Sequence, residues 1–156
     1  MYFKPQYLSL RTIIYNSSVS KGVFPEILKY AYVIGIFKSG DRSDPGNYRP
    51  ISLTSHISKT LERVMRLELV KYLEDNGLMK EDQHGSRQGR STVTQLPDFY
   101  DMIIQNLEEN GNLDTVYLDF SKAYDKVDHG VLVRKMILIG INGCMSRWLA
   151  SFLEKR

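Results

Sequence analysis

Three short segments hold the residue types that could do chemistry. The first is DTVYLDFSKAYDKVDH, Asp114–His129, in which Asp119, Asp125 and Asp128 fall within ten residues. Hard divalent cations take oxygen ligands, so clustered carboxylates at the end of a strand would suit them. Asp125 and Asp128 have a second reading as first-turn acids of a helix, where the helix dipole favours negative charge. The second segment is FKSGDRSDPGNYRPISL, Phe37–Leu53, whose Lys38, Arg42 and Arg49 could clamp a triphosphate. Arginine suits that task because its planar fork makes paired contacts to phosphate oxygens. The third is QHGSRQGRST, Gln83–Thr92, where glycines flank Arg87 and Arg90 and would let a nucleic-acid strand approach the backbone.

Elements must position these residues. Apolar positions at Leu10, Ile13 and Ile14 predict the end of a helix over Leu8–Tyr15, closed by Lys21-Gly22, and Phe24-Pro25 opens a short helical turn to Tyr30. Ala31–Phe37, rich in β-branched and aromatic residues, reads as a buried strand, and Ile51–Leu53 as its short return across a Gly/Asp/Pro-rich hairpin tip. A long helix is expected from Ser55 to Asp75, where Ile57, Leu61, Val64, Met65, Leu69, Tyr72 and Leu73 recur every three or four residues. A second, ending near Asn110-Gly111, has Pro97 in its body, which is comfortable only if the helix begins as late as Thr94. Thr115–Phe120 alternates and predicts a strand carrying Asp119 near its C-terminal end. Helices are expected again over His129–Ile139 and Cys144–Leu153, the latter with Trp148, Leu149 and Phe152 on one face. That face reads as core, or as a surface laid open if a neighbouring layer is missing. Helices around a few strands in mixed order make the expected class α+β (mixed α/β).

Composition excludes several alternatives. With 156 residues, 42% apolar and 25% charged, the chain has the balance of a globular domain rather than a disordered or fibrous one. One cysteine, Cys144, excludes an internal disulfide, and His56, His84 and His129 have no zinc-ligand spacing with it or with one another. No segment reads as a membrane span or a secretory leader. Residues 1–60 hold eight Lys/Arg against three Asp/Glu, whereas residues 61–100 hold six against seven and 101–156 seven against eight. A basic first third beside a slightly acidic remainder fits a phosphate-binding surface next to a cation-binding one.

Taken in order, NYRPISL, QHGSRQGRST and LDFSKAYDKVDH resemble the reverse transcriptase of non-LTR retrotransposons, the jockey-like LINE elements. The resemblance extends from about Leu10 to Arg156, with GVFPEILKYAYVIGIFKSGD before the first motif and RWLASFLEKR after the last. It implies an RNA-directed DNA polymerase that adds nucleotides to a primer 3′-hydroxyl with two magnesium ions. Its partners would be an RNA template, a DNA primer and deoxynucleoside triphosphates, with no membrane, and its location would be intracellular, in cytoplasm and nucleus. By the same resemblance Asp119 is the catalytic residue and ligand of both ions, and the Phe120 carbonyl also touches metal. Tyr124 would stack under the incoming sugar, Lys38 and Arg49 would hold the triphosphate, and Arg87 and Arg90 would lie near template phosphates.

The resemblance further implies the fingers, about residues 1–110, and the first part of the palm, about 111–156, truncated before the remaining palm and thumb. The family's glutamine-containing loop and Phe/Tyr-x-Asp-Asp hairpin do not occur in the sequence, so the chain is expected to be inactive alone. A non-catalytic nucleic-acid-binding remnant or domesticated fragment is the alternative. Departures from the family pattern are Gly35 in place of a proline, Ser86 in place of a phenylalanine, and the helical Pro97.

Overall fold

The computed structural model describes residues 10–85 and 87–155, so the expectations for Leu8, Ser86 and Arg156 lie outside the described residues. In chain order the elements are α1 (Leu10–Lys21), a 3-10 turn (Glu26–Leu28), β1 (Ala31–Phe37), a second 3-10 turn (Pro45–Asn47), β2 (Tyr48–Thr54), α2 (His56–Asp75), α3 (Thr92–Asn110), α4 (His129–Leu138) and α5 (Cys144–Leu153). Among the described residues, five helices and one antiparallel pair of strands give the mixed α/β class expected from the sequence. The chain divides into two compact units, Met1–Val70 with Val127–Arg156, and Lys71–Lys126.

The first unit owns the core. Phe24 and Leu61 are fully buried and Trp148 is nearly so, with Tyr15, Leu28, Met65, Ile141 and Leu149 around them. Phe24 meets Trp148 edge-on at 5.3 Å and Phe152 at 5.2 Å, while Trp148 and Phe152 stack at 5.5 Å. Such pairs add about 0.5–1.5 kcal/mol each beyond their burial. The Trp148–Leu149–Phe152 face is therefore largely core, with Trp148 and Leu149 buried and Phe152 half-buried. Its one polar atom is provided for: Trp148 Nε1 donates to Ser18 Oγ at 2.9 Å, and that hydroxyl donates onward to the Val23 carbonyl at 2.7 Å. At Gly22, with φ +66°, a Cβ would stand 2.8 Å from the Cys144 carbonyl oxygen, so only glycine lets the end of α1 approach the start of α5.

β1 and β2 form a regular hairpin with Ile36 opposite Arg49 and Phe37 opposite Tyr48. The strand expected to be buried is exposed along six of its seven residues, because among the described residues of its unit no further layer packs on the pair. β2 is also longer than the expected three residues, starting at Tyr48. Pro50 falls opposite Gly35, between the pairs whose amides and carbonyls bond across the ladder, so its missing N–H faces the free edge, where a strand tolerates proline.

In the second unit Ser91 caps α3: its hydroxyl accepts from the Thr94 amide at 3.3 Å, and the Ser91 amide donates to Thr94 Oγ1 at 2.8 Å. This box starts the helix at Thr92, two residues before the position that suits Pro97. The proline removes the bond that the Val93 carbonyl would accept, at a residue that is 75% exposed. The apolar stripe of α3, which runs through Val93, Leu96, Tyr100, Ile103, Ile104 and Leu107, has no buried residue. Residues 112–120 adopt no regular structure, which corrects the expected strand over Thr115–Phe120. An alternating pattern fits a strand, but a strand forms only with a neighbour for its amides and carbonyls, and the described residues pair none with this segment. No helix among the described residues is long and apolar enough to cross a membrane.

Candidate nucleotide and nucleic-acid site

The hairpin tip is built by its own short polar side chains. The Lys38 amide donates to the Asn47 carbonyl at 2.8 Å, which carries the ladder one pair beyond Phe37 and Tyr48. Asp41 Oδ1 accepts from both the amide and the hydroxyl of Ser43, at 2.9 and 2.8 Å, and those donors hold its carboxyl below the usual carboxylate range. Asp44 Oδ1 accepts from the Gly46 amide at 2.8 Å, and Asn47 Nδ2 donates to the Asp41 carbonyl at 2.9 Å. The tip is thus closed by local hydrogen bonds, as a run of Asp, Ser, Gly and Asn favours.

Pleat alternation then sorts the cations. Arg49 shares a face with Ile36, its cross-strand partner, and Lys38, two residues on from Ile36, follows to the same face. As diagonal neighbours across the ladder, Lys38 and Arg49 lie about 7–8 Å apart at the backbone, a span that two long side chains bridge toward one anion. Arg42 goes to the other face. Its guanidinium sits over the Phe37 ring, 5.2 Å from the centroid, while the Tyr48 hydroxyl donates to its carbonyl at 2.9 Å. The ladder therefore puts Lys38 and Arg49 on one face, and the tip sets Arg42 on the other.

In the second unit Arg87 and Arg90 turn toward their own loop. Arg87 Nη1 donates to the Lys80 carbonyl at 2.9 Å and its Nε faces Glu74 Oε1 at 3.8 Å, while Arg90 Nη1 donates to the Glu81 carbonyl. His84, buried, ties the loop to α3 through Nδ1 and Thr94 Oγ1 at 3.2 Å and through Nε2 and Asp98 Oδ2 at 3.3 Å. Sequence reasoning missed both this role of His84 and the Arg42–Phe37 contact. Neither has a spacing signal, since each depends on how a loop closes.

Asp119, Phe120 and Tyr124 sit in the unpaired stretch and the turn after it, all three exposed. Asp128 is the N-cap of α4, accepting from the Val131 amide at 2.8 Å, which settles it in the helix-start reading. Among the described residues no three His, Cys, Asp or Glu side chains group closely enough to hold a metal ion. One open carboxylate does not match the oxygen-rich shell that a pair of hard divalent cations demands, so these residues do not by themselves fit a two-cation site.

Comparison with known proteins gives these motifs their context. The family described as "Reverse transcriptase (RNA-dependent DNA polymerase)" matches residues 36–156. The chain is 34% identical over 131 residues to the "Probable RNA-directed DNA polymerase from transposon BS" of Drosophila melanogaster, covering 83% of this chain and 14% of that protein. Over 119 residues it is 34% identical to the "Probable RNA-directed DNA polymerase from transposon X-element" of the same fly, covering 76% and 13%. The "RNA-directed DNA polymerase from mobile element jockey" of Drosophila melanogaster is 30% identical over 131 residues, covering 83% and 14%. The chain spans about one seventh of the length of these relatives. Since the family match takes in the hairpin tip, the stapled loop and the acidic turn in one continuous stretch, the chain belongs to the reverse transcriptase (RNA-dependent DNA polymerase) family.

Proposed function

We propose that this chain is the substrate-gripping part of an RNA-directed DNA polymerase of a non-LTR retrotransposon, holding a deoxynucleoside triphosphate against a primer–template. Residues 1–110 are read as fingers and 111–156 as the first part of the palm. The observation that carries the reading is the shared face of Lys38 and Arg49 on the two sides of a hairpin whose tip is closed by its own hydrogen bonds. Two positive charges a diagonal step apart suit a triphosphate, whose negative charge is spread over several oxygens.

Asp119 and the Phe120 carbonyl are what the chain would contribute toward the family's magnesium ions, and Tyr124 is the candidate sugar contact. The described residues do not complete a metal shell, so the transfer step is not assigned to them. That same observation favours a second reading, a non-catalytic nucleic-acid binder of retrotransposon origin. Both readings place the molecule with RNA and DNA in cytoplasm and nucleus.

The two share one test and part at another. Fluorescence anisotropy of a labelled RNA–DNA primer–template with the 156-residue chain should show affinity falling steeply as salt rises, because released counterions drive phosphate contacts. Salt-independent affinity would sink both. Primer extension by a polymerase carrying this segment in full-length form should be abolished by Asp119→Ala if the first reading holds, and a mutant extending at a comparable rate would contradict it.

A further inference from the structure

A groove of about 450 Å³ runs between α2 and α5, within the first unit. Its floor is apolar, with Met65 and Trp148 buried and Phe152 half-buried. Lys59, Arg63 and Arg66 stand exposed along its α2 side, against the one carboxylate of Glu62. Among the described residues no carboxylate comes within ion-pair distance of Lys59 or Arg63. An apolar floor beside a basic rim suits an occupant that brings an apolar stripe flanked by carboxylates. A bare polyanion would satisfy the rim and leave the floor open.

The helix α3 is built to that description. Val93, Leu96, Tyr100, Ile104 and Leu107 recur at steps of three and four, so they share one face, and each is 46–75% exposed. Asp101 and Glu108, seven residues apart, border that stripe on one flank. Lys59 and Arg66 on α2 are also seven residues apart, so both pairs span about 10 Å along their helices. Over its whole length α3 carries four carboxylates, Asp98, Asp101, Glu108 and Glu109, and no Lys or Arg. Two copies of α3 laid side by side would therefore repel, which leaves the basic groove as the surface of matching sign.

We propose that two copies of this chain associate, α3 of one copy lying in the groove between α2 and α5 of the other. The apolar stripe covers the floor, and Asp101 and Glu108 face the basic rim. The contact uses neither nucleotide nor nucleic acid, so it stands or falls apart from the polymerase reading.

Sedimentation velocity of the 156-residue chain over a hundredfold range of concentration tests this, with circular dichroism following the fold of each variant. The wild type should pass from monomer to a larger species as concentration rises. Arg63→Glu and Asp101→Lys, both at exposed positions, should each keep the wild-type thermal midpoint and move that transition to at least about tenfold higher concentration. An equimolar mixture of the two variants should regain association. In the mixed pair the altered groove meets the altered helix, and the unaltered groove meets the unaltered helix. A wild type that stays monomeric at every concentration, leaving the groove to some other partner, overturns the proposal. So does a charge variant that associates like wild type, or a mixture that stays as dissociated as its components.

Discussion

Arg49 and Arg42 carry the same charge seven residues apart on one hairpin, yet the pleat sets Arg49 on the face of Ile36 while the closed tip lays Arg42 over the Phe37 ring. Charge content alone would treat them as equals. Asp41 offers a residue-scale prediction with a defined sign. Its carboxyl is held below the ordinary value by the Ser43 amide and hydroxyl. That contribution to the closed tip is present above the usual carboxylate range and is lost as pH falls through the lowered value. Hydrogen exchange or chemical shift of the Ser43 amide should thus report a closed tip at neutral pH that opens in strong acid. Asp41→Asn should remove that pH dependence; an unchanged acid profile in the variant would show that another group governs the tip. At Phe37, replacement by leucine removes the ring under Arg42, a contact worth about 0.5–1 kcal/mol at an exposed site. Lys38 and Arg49, on the other face, should be unaffected in any anion-binding measurement.

Among the elements, the helices were legible because an apolar period survives without knowledge of neighbours. Leu61, Met65, Trp148 and Leu149 were expected to face a core and do. The strand expected over Thr115–Phe120 was not, because alternation states only what a strand would bury if a partner strand lay beside it. The same limit explains β1, read as buried from its composition but left uncovered by the described residues of its unit, and α3, whose stripe has no buried residue. Caps are local and testable. Ser91→Ala removes the acceptor for the Thr94 amide and should cost the α3 region about 1 kcal/mol, read by thermal or urea unfolding. A change within error would mean that α3 starts without its cap. Gly22→Ala meets both a φ of +66° and an oxygen at 2.8 Å, so it should destabilise the first unit by roughly 1–3 kcal/mol. If unfolding of Gly22→Ala matches wild type, the junction of α1 and α5 is looser than the packing around Phe24 and Trp148 indicates.

For the molecule as a whole, the three motifs in order were enough to identify the family, and the match over residues 36–156 agrees with them. The direction of the functional side chains was not legible. Arg87 and Arg90 read from sequence as free cations, yet each finds a carbonyl of its own loop, an outcome fixed by loop closure rather than by residue type. Of the eight Lys/Arg in the first sixty residues three lie on the hairpin, and the proposal is that Lys38 and Arg49, on one of its faces, form the triphosphate site. The most direct test of that claim is face-specific. Titration of a fluorescent deoxynucleoside triphosphate should show Lys38→Ala and Arg49→Ala each weakening binding about tenfold, about 1.4 kcal/mol, with Arg42→Ala within about twofold of wild type. Equal losses at all three positions, or none at Lys38 and Arg49, would contradict a triphosphate site on one face of the hairpin.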